Sequence, residues 1–271
     1  MTEPPREYSS PAGSAATRDW PAVGIVNGAS TTPLLIICDH ASKAVPSELR
    51  DLGLGPDALA RHIGWDIGAA SVTCRLAQAL GASAILARTS RLVIDTNRDP
   101  DDPTSIPEIS DGLRIPGNQN ITREERQRRI ASYFRPYHDA IEREIGRLQR
   151  NSAAPALFSV HSFTPNMAGE ERPWHIGVLW NRDPRMAGPL IRLLRAHPDD
   201  LVVGDNKPYS GQSVAYTLNR HGGGGGLPHC AVEIRQDLVA DDAAAERWAH
   251  ILQPILREIL AGPGLHRVIH F

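Results

Sequence analysis

Apolar residues in this chain fall in short, dense runs separated by helical periodicity and by turn formers. Residues 33–40, PLLIICDH, are rich in branched side chains and too short for an independent helix, which predicts a buried strand. Residues 66–80 place Ile67, Ala70, Cys74, Ala77 and Leu80 at helical spacing, and Gly81 is positioned to end the helix. Two strand-like runs follow, at 83–88 and 92–97. Strand, helix and strand in that order predict a crossover and a largely parallel sheet. Residues 99–120 are crowded with Pro, Gly, Asp and Asn, and a loop of that length inside a domain is usually functional or mobile.

The second half continues the alternation. Thr122 and Glu125 form a capping box opening a long helix to about Arg150, with a stripe of Phe134, Tyr137, Ile141, Ile145 and Leu148 and a kink expected at Pro136. Strands are predicted at 156–163, 175–180, 201–205 and 229–235. Asp183 and Pro184 supply the cap and first turn of a helix to about Ala196, and a last amphipathic helix spans 241–260. The reading is one three-layer α/β/α domain over 31–271 with a mostly parallel or mixed central sheet, preceded by a flexible tail over 1–30.

Composition narrows the classes of partner. The 271 residues carry a formal net charge of −2, which gives no reason to expect nucleic acid or an anionic membrane. No apolar run approaches a membrane span, and the first twenty residues lack the apolar stretch of a secretory signal. Three scattered cysteines, Cys38, Cys74 and Cys230, suit a reducing cytoplasm better than a disulfide framework. A small-molecule substrate is the partner expected.

Polar residues with catalytic potential recur where the predicted strands end: Asp39 and His40, His161, and Glu233 with Arg235. The carboxyl ends of neighbouring strands form the usual ligand crevice of an open α/β sheet. Two histidines and an acidic residue are the donor set of a catalytic zinc site, and a further carboxylate can shuttle the proton from water to the leaving amine. On this reading His40, His161 and a carboxylate hold a metal and Glu233 is the shuttle; the alternative is a pair of hydrogen-bonded structural histidines. Cys38, two residues from His40, is read as a buried structural thiol, with a thiol nucleophile as the rival.

The segments CDHASKAVPSEL, HIGWDIGA, TSRLVIDTNRDPDD, IPGN, RPYHDAI, VHSFTPNM, RPWHIGVLW, VGDNKPYSG and VEIRQDL, in that order, resemble the N-formylglutamate amidohydrolase family in its broad sense, over residues 33 to about 250. The resemblance implies a phosphorylase/hydrolase-like fold akin to zinc carboxypeptidases, succinylglutamate desuccinylases and aspartoacylases. It also implies one divalent metal ion, best suited to zinc, and hydrolysis of an N-acyl amino acid such as N-formylglutamate. His40 and His161 match the metal histidines. Lys43 stands where the related carboxypeptidases place a glutamate ligand, so Asp66 is taken as the third ligand, with Asp39 the runner-up because adjacent strand residues face opposite ways.

Glu233 matches the general base and acid of these relatives. Asn97 and Arg98 resemble a pair that grips a substrate carboxylate, through two parallel hydrogen bonds from the guanidinium. Arg91 and Arg235 are candidates for a second carboxylate or the oxyanion. His175 and His221 are further candidates for substrate contact, and Trp174 for a pocket wall. The glycine run 222–226 lacks the lysine and hydroxyl residue of a phosphate loop and is read as a flexible turn beside the site. Rival expectations are another N-acyl amino acid or a small peptide-like amide as substrate, or a metal-free binding protein of the same fold.

Overall fold

A computed structural model describes residues 20–167 and 169–271. Seven strands make the central sheet: β1 (Val23–Val26), β2 (Leu34–Cys38), β3 (Ser83–Ala87), β4 (Ala156–Phe163), β5 (Ile176–Leu179), β6 (Val203–Asp205) and β7 (His229–Arg235). Their spatial order is β1-β3-β2-β4-β7-β5-β6. The pairs β3–β2, β2–β4, β4–β7 and β5–β6 are parallel, whereas β1–β3 and β7–β5 are antiparallel, so the sheet is mixed.

Dense apolar runs become strands here because both faces are covered. Along β2, Leu34, Ile36 and Cys38 pack on one side and Leu35 and Ile37 on the other. The first side is covered by α1 (Ala69–Leu80), α2 (Pro184–Arg195) and α3 (Asp242–Leu260). The second is covered by the 135–148 helix, through Tyr137, Ile141, Ile145 and Leu148. Each fully buried aliphatic side chain contributes about 1.5–3 kcal/mol relative to its exposed state, so these two layers dominate the stability of the sheet. The α/β/α layering is as expected. Among the described residues no helix is long and apolar enough to cross a membrane.

Three boundaries differ from the sequence expectation. Residues 1–19 of the expected tail lie outside the described residues, while β1 falls within 1–30 and pairs antiparallel with β3, so the sheet starts ahead of position 31. The run 92–97 is not a strand. Leu92, Val93 and Ile94 are buried in a separate apolar cluster, but their carbonyls turn to side chains: Asn118 Nδ2 donates to Leu92 O at 2.8 Å, and Arg129 Nη1 to Val93 O at 3.1 Å. Buried amides and carbonyls must be paired, but a strand partner is one solution among several.

The third boundary is α1, which begins at Ala69 rather than 66. Gly68 sets that start, with φ at +78° and an added Cβ only 2.0 Å from Val239 O, so it admits no side chain. Asp66 and Ile67 are thereby left in the turn ahead of the helix.

Thr122 caps the helix, its hydroxyl accepting from Glu125 N at 3.1 Å, but the reciprocal half of the box is missing because the Glu125 carboxylate pairs with Arg128 and Arg129. The long helix is interrupted by a π-turn over Ile130–Phe134 before restarting at Arg135. Pro136 lacks an N–H, and the wider turn just ahead of it absorbs the break expected there.

Candidate metal centre

The site lies where β2, β4 and β7 end. Alternation on β4 turns Phe158 and Val160 into the α1–α3 layer and leaves Ser159 and His161 facing the other way. On β7 the same alternation buries Val232 and Ile234 and leaves Ala231 and Glu233 on the face of His161. His161 and Glu233 are register partners on adjacent parallel strands, so the two side chains stand together. His40 sits just past the end of β2, and its carbonyl accepts from Asp66 N at 3.0 Å, which ties the turn ahead of α1 to the strand end.

His40, Asp66 and His161 converge as three buried donors whose ligand atoms all lie within 4.8 Å of one another. Nδ1 of His161 is 2.8 Å and Nδ1 of His40 is 3.2 Å from the same Asp66 oxygen. Each ring has its other nitrogen on a second acid: His40 Nε2 is 2.7 Å from Asp95 Oδ1, and His161 Nε2 is 3.1 Å from Asp39 Oδ2. A ring that offers one nitrogen to a shared centre and anchors the other on a carboxylate is the usual arrangement of a metal-binding histidine. The donor set therefore fits a divalent ion of the imidazole-and-carboxylate class.

Electrostatics follow from this packing. Burial works against charge on Asp66, but the imidazoles beside it hold its carboxyl well below the usual range. Burial likewise opposes charge on His161, yet Asp39 and Asp66 raise its pKa well above that of a free imidazole. Burial pushes the Glu233 carboxyl up to about 7, against the pull of His161 and with the Asp66 charge adding to the rise. Glu233 Oε2 is buried with no hydrogen-bond partner among the described residues. An unpaired carboxylate oxygen at that depth is costly unless something else uses it.

Beside these groups opens a cavity of about 840 Å³, lined by His40, Asp66, His161 and Glu233 and, further out, by Arg91, Arg98 and Tyr209. Arg91 reaches Asp95 at 2.8 Å and Asp66 at 3.4 Å, and Arg98 Nε lies 3.5 Å from Asp95.

Other residues singled out in the sequence are placed differently. Asn97 borders the cavity, but its amide is engaged with the backbone: Nδ2 donates to Val214 O and Oδ1 accepts from Thr217 N, both at 3.0 Å. Arg235 forms an ion pair with Asp237 at 2.8 Å and is not among the cavity's lining residues. His175 accepts through Nδ1 from Val202 N, and Trp174 packs against Gly204, both away from the cavity. His221 stacks on His138, with Nε2 2.9 Å from His138 Nδ1. The glycine run starts at the end of a π-turn, Asn219–Gly223, and continues as an open turn to Gly226, and Gly222 packs so closely on His229 that a Cβ would lie 2.6 Å from its ring. Cys38 faces the α1–α3 layer, and burial pushes its thiol pKa up, which suits a structural role.

Asp95 is the site residue that sequence reading passed over. It lies inside a run read as a strand, and its contacts with His40, Arg91 and Arg98 arise only because that segment folds back as a turn. Asp39, weighed as a ligand, instead accepts from Thr217 Oγ1 at 2.6 Å, Tyr137 OH at 3.0 Å and Ser159 Oγ at 3.1 Å while facing His161.

Residues 32–240 match the family described as N-formylglutamate amidohydrolase. The chain is 33% identical over 147 residues to an N-formylglutamate deformylase of Pseudomonas putida and 31% identical over 141 residues to one of Pseudomonas aeruginosa. Each match takes in 48% of this chain, and the chain spans about half the length of these curated relatives, 51% and 52%. A crystal structure of a gene product from Agrobacterium tumefaciens superposes with a TM-score of 0.85 at 34% identity, covering 89% of this chain and 95% of that one. The structure of an N-formylglutamate amidohydrolase from Ralstonia eutropha gives a TM-score of 0.63 at 20% identity, covering 88% and 97%, which is a likeness of fold.

Proposed function

The chain belongs to the N-formylglutamate amidohydrolase family, and from that membership we propose that it hydrolyses the amide bond of an N-acyl amino acid, foremost N-formyl-L-glutamate, to the free amino acid and formate. The observation that carries this reading is the juxtaposition of the buried His40, Asp66 and His161 donor set with the unpaired carboxylate of Glu233 at the floor of a cavity.

In this reading the three donors hold one divalent ion, zinc being best matched to imidazole and carboxylate. The chemistry such an ion supplies is Lewis acidity toward water and toward a carbonyl oxygen. Glu233 takes the proton from the attacking water and returns it to the departing nitrogen. Burial raises the Glu233 carboxyl above that of an exposed glutamate, which makes it the better holder of the proton it takes. Arg91 and Arg98 meet the substrate's α-carboxylate from the Asp95 side of the cavity and fix its orientation. Asn97 assists by holding the Val214–Thr217 segment that borders the same space. Residues 23–271, from β1 onward, act as one catalytic unit, and three free cysteines accord with a cytoplasmic setting.

The test is a panel of formyl-, acetyl- and succinyl-amino acids offered to purified, zinc-loaded protein, with release of free amine and of the acid followed separately. Highest kcat/KM on N-formylglutamate, abolished by a chelator and restored by metal, is the expected result. No hydrolysis of any panel member by metal-loaded protein would sink the proposal.

A further inference from the structure

The cations around the cavity are not equivalent. Arg91 and Arg98 share Asp95, and Arg61 faces Asp111 at 2.7 Å. Arg172 has no such acid: among the described residues no carboxylate pairs with it. Its guanidinium instead lies over the Tyr209 ring, 4.9 Å from the centroid, and 6.0 Å from that of Phe163. Its Nη1 donates to the Tyr209 hydroxyl at 2.8 Å, and its Nη2 contacts Met167 Sδ at 2.7 Å. Tyr209, Phe163 and Met167 all line the cavity, so an uncompensated positive charge sits directly behind that wall.

The Tyr209 hydroxyl accepts from Arg172, which leaves its own hydrogen for another partner. The thioether of Met167, 3.9 Å away, is a weak acceptor. Burial raises the phenol pKa, so the proton is retained at neutral pH. A phenol polarised from behind by a guanidinium is a strengthened donor toward an anion. The placement also separates this donor from the first anion site. Arg91 and Arg98 follow β3, near one edge of the sheet, whereas Tyr209 follows β6 at the opposite edge. His161 and Glu233, on β4 and β7, stand between them.

We propose that Arg172 and Tyr209 form the specificity subsite for a second anionic group, so that the chain selects N-acyl amino acids whose side chain ends in a carboxylate. This rests on the N-acyl amino acid reading above and adds the residues that choose among such substrates. The carboxylate accepts the Tyr209 hydrogen and displaces the Met167 contact, while Arg172 holds the phenol in place and supplies the charge.

The discriminating pair is N-formylglutamate and N-formylglutamine, which differ in the distal carboxylate against an amide. Kinetics and calorimetric binding of both are measured on the zinc-loaded full chain, on R172Q and on Y209F, with thermal melts of each protein. Y209F removes only the donated hydrogen and serves if R172Q fails to fold. For the wild type, N-formylglutamate is expected to be favoured, and each substitution is expected to raise its KM and Kd about tenfold or more with a smaller change in kcat. The values for N-formylglutamine are expected to move by no more than about threefold, a split that a merely structural role would not produce. Equal losses on both ligands, or Y209F binding N-formylglutamate as tightly as wild type, would overturn the subsite. Absence of turnover with the binding discrimination intact would instead remove the hydrolase reading and leave the subsite standing.

Discussion

Nε2 of His161 lies 3.1 Å from Asp39 Oδ2, and Nδ1 of the same ring lies 2.8 Å from Asp66, so one imidazole is clamped between two buried carboxylates. The clamp gives the ring one orientation and leaves the nitrogen on the Asp66 side as the donor. Asp39→Asn is therefore expected to weaken metal binding by about tenfold to a hundredfold, the usual cost of removing a partner behind a ligand. His161→Ala is expected to lower bound metal outright. Elemental analysis and chelator competition check both; full metal content in His161→Ala would refute the ligand assignment.

Glu233→Gln keeps the side chain's size and removes its capacity to take a proton. Metal content is expected to be unchanged while turnover falls by about a hundredfold or more, the range of a lost general base. Near-normal kcat in this variant would remove Glu233 from the chemistry.

Gly68 is tested through stability. Gly68→Ala must place a methyl 2.0 Å from Val239 O at a φ of +78°, so the turn carrying Asp66 or the Val239 segment has to move. A loss of about 2 kcal/mol or more is expected, read as a lower thermal midpoint. Because Asp66 is two residues away, metal content should fall with it. An unaltered midpoint would show that the turn relaxes freely.

The His138–His221 pair predicts a pH dependence. Burial depresses both pKa values to about 4, with His221 beside His138 and Arg220 beside His221 adding to the drop. The folded pair thus stays neutral where the unfolded chain, with ordinary imidazoles, already binds protons. Stability contributed by this pair is full only well above pH 6.5 and declines as the pH falls toward 4, on the order of 2 kcal/mol for each ring, or about 4 kcal/mol for the pair, between pH 7 and 5. Urea midpoints across that range should fall for the wild type and less steeply for His138→Gln/His221→Gln. Parallel slopes would contradict the assignment.

What could be read from the chain alone follows from how local each signal is. The dense runs that became β2, β4, β5 and β7 are buried on both faces, and that burial is written into their composition. The same composition misled at 92–94, where Asn118 and Arg129, both distant in sequence, satisfy the carbonyls a neighbouring strand would have taken. His40 and His161 were legible as strand-end histidines, and the converging Asp66 through its motif. Asp95 was hidden because its partners depend on a segment folding back. For Arg235 and His175 the sequence does not show that Asp237 takes the guanidinium or that Val202, 27 residues on, takes the imidazole. Strand order was not legible, because it is decided by layers that form from segments far apart.

The order of the sheet also dictates when the centre can exist. β7 is the last strand in the chain but lies between β4 and β5. A nascent polypeptide stopped before residue 229 would present two unsatisfied ladder edges flanking an empty slot, and would lack Glu233 altogether. The slot is filled only by late, long-range insertion, a slow class of pairing event. Partial translation products therefore carry a sticky gap in place of a working site, and their clearance, rather than their activity, is what a cell has to manage.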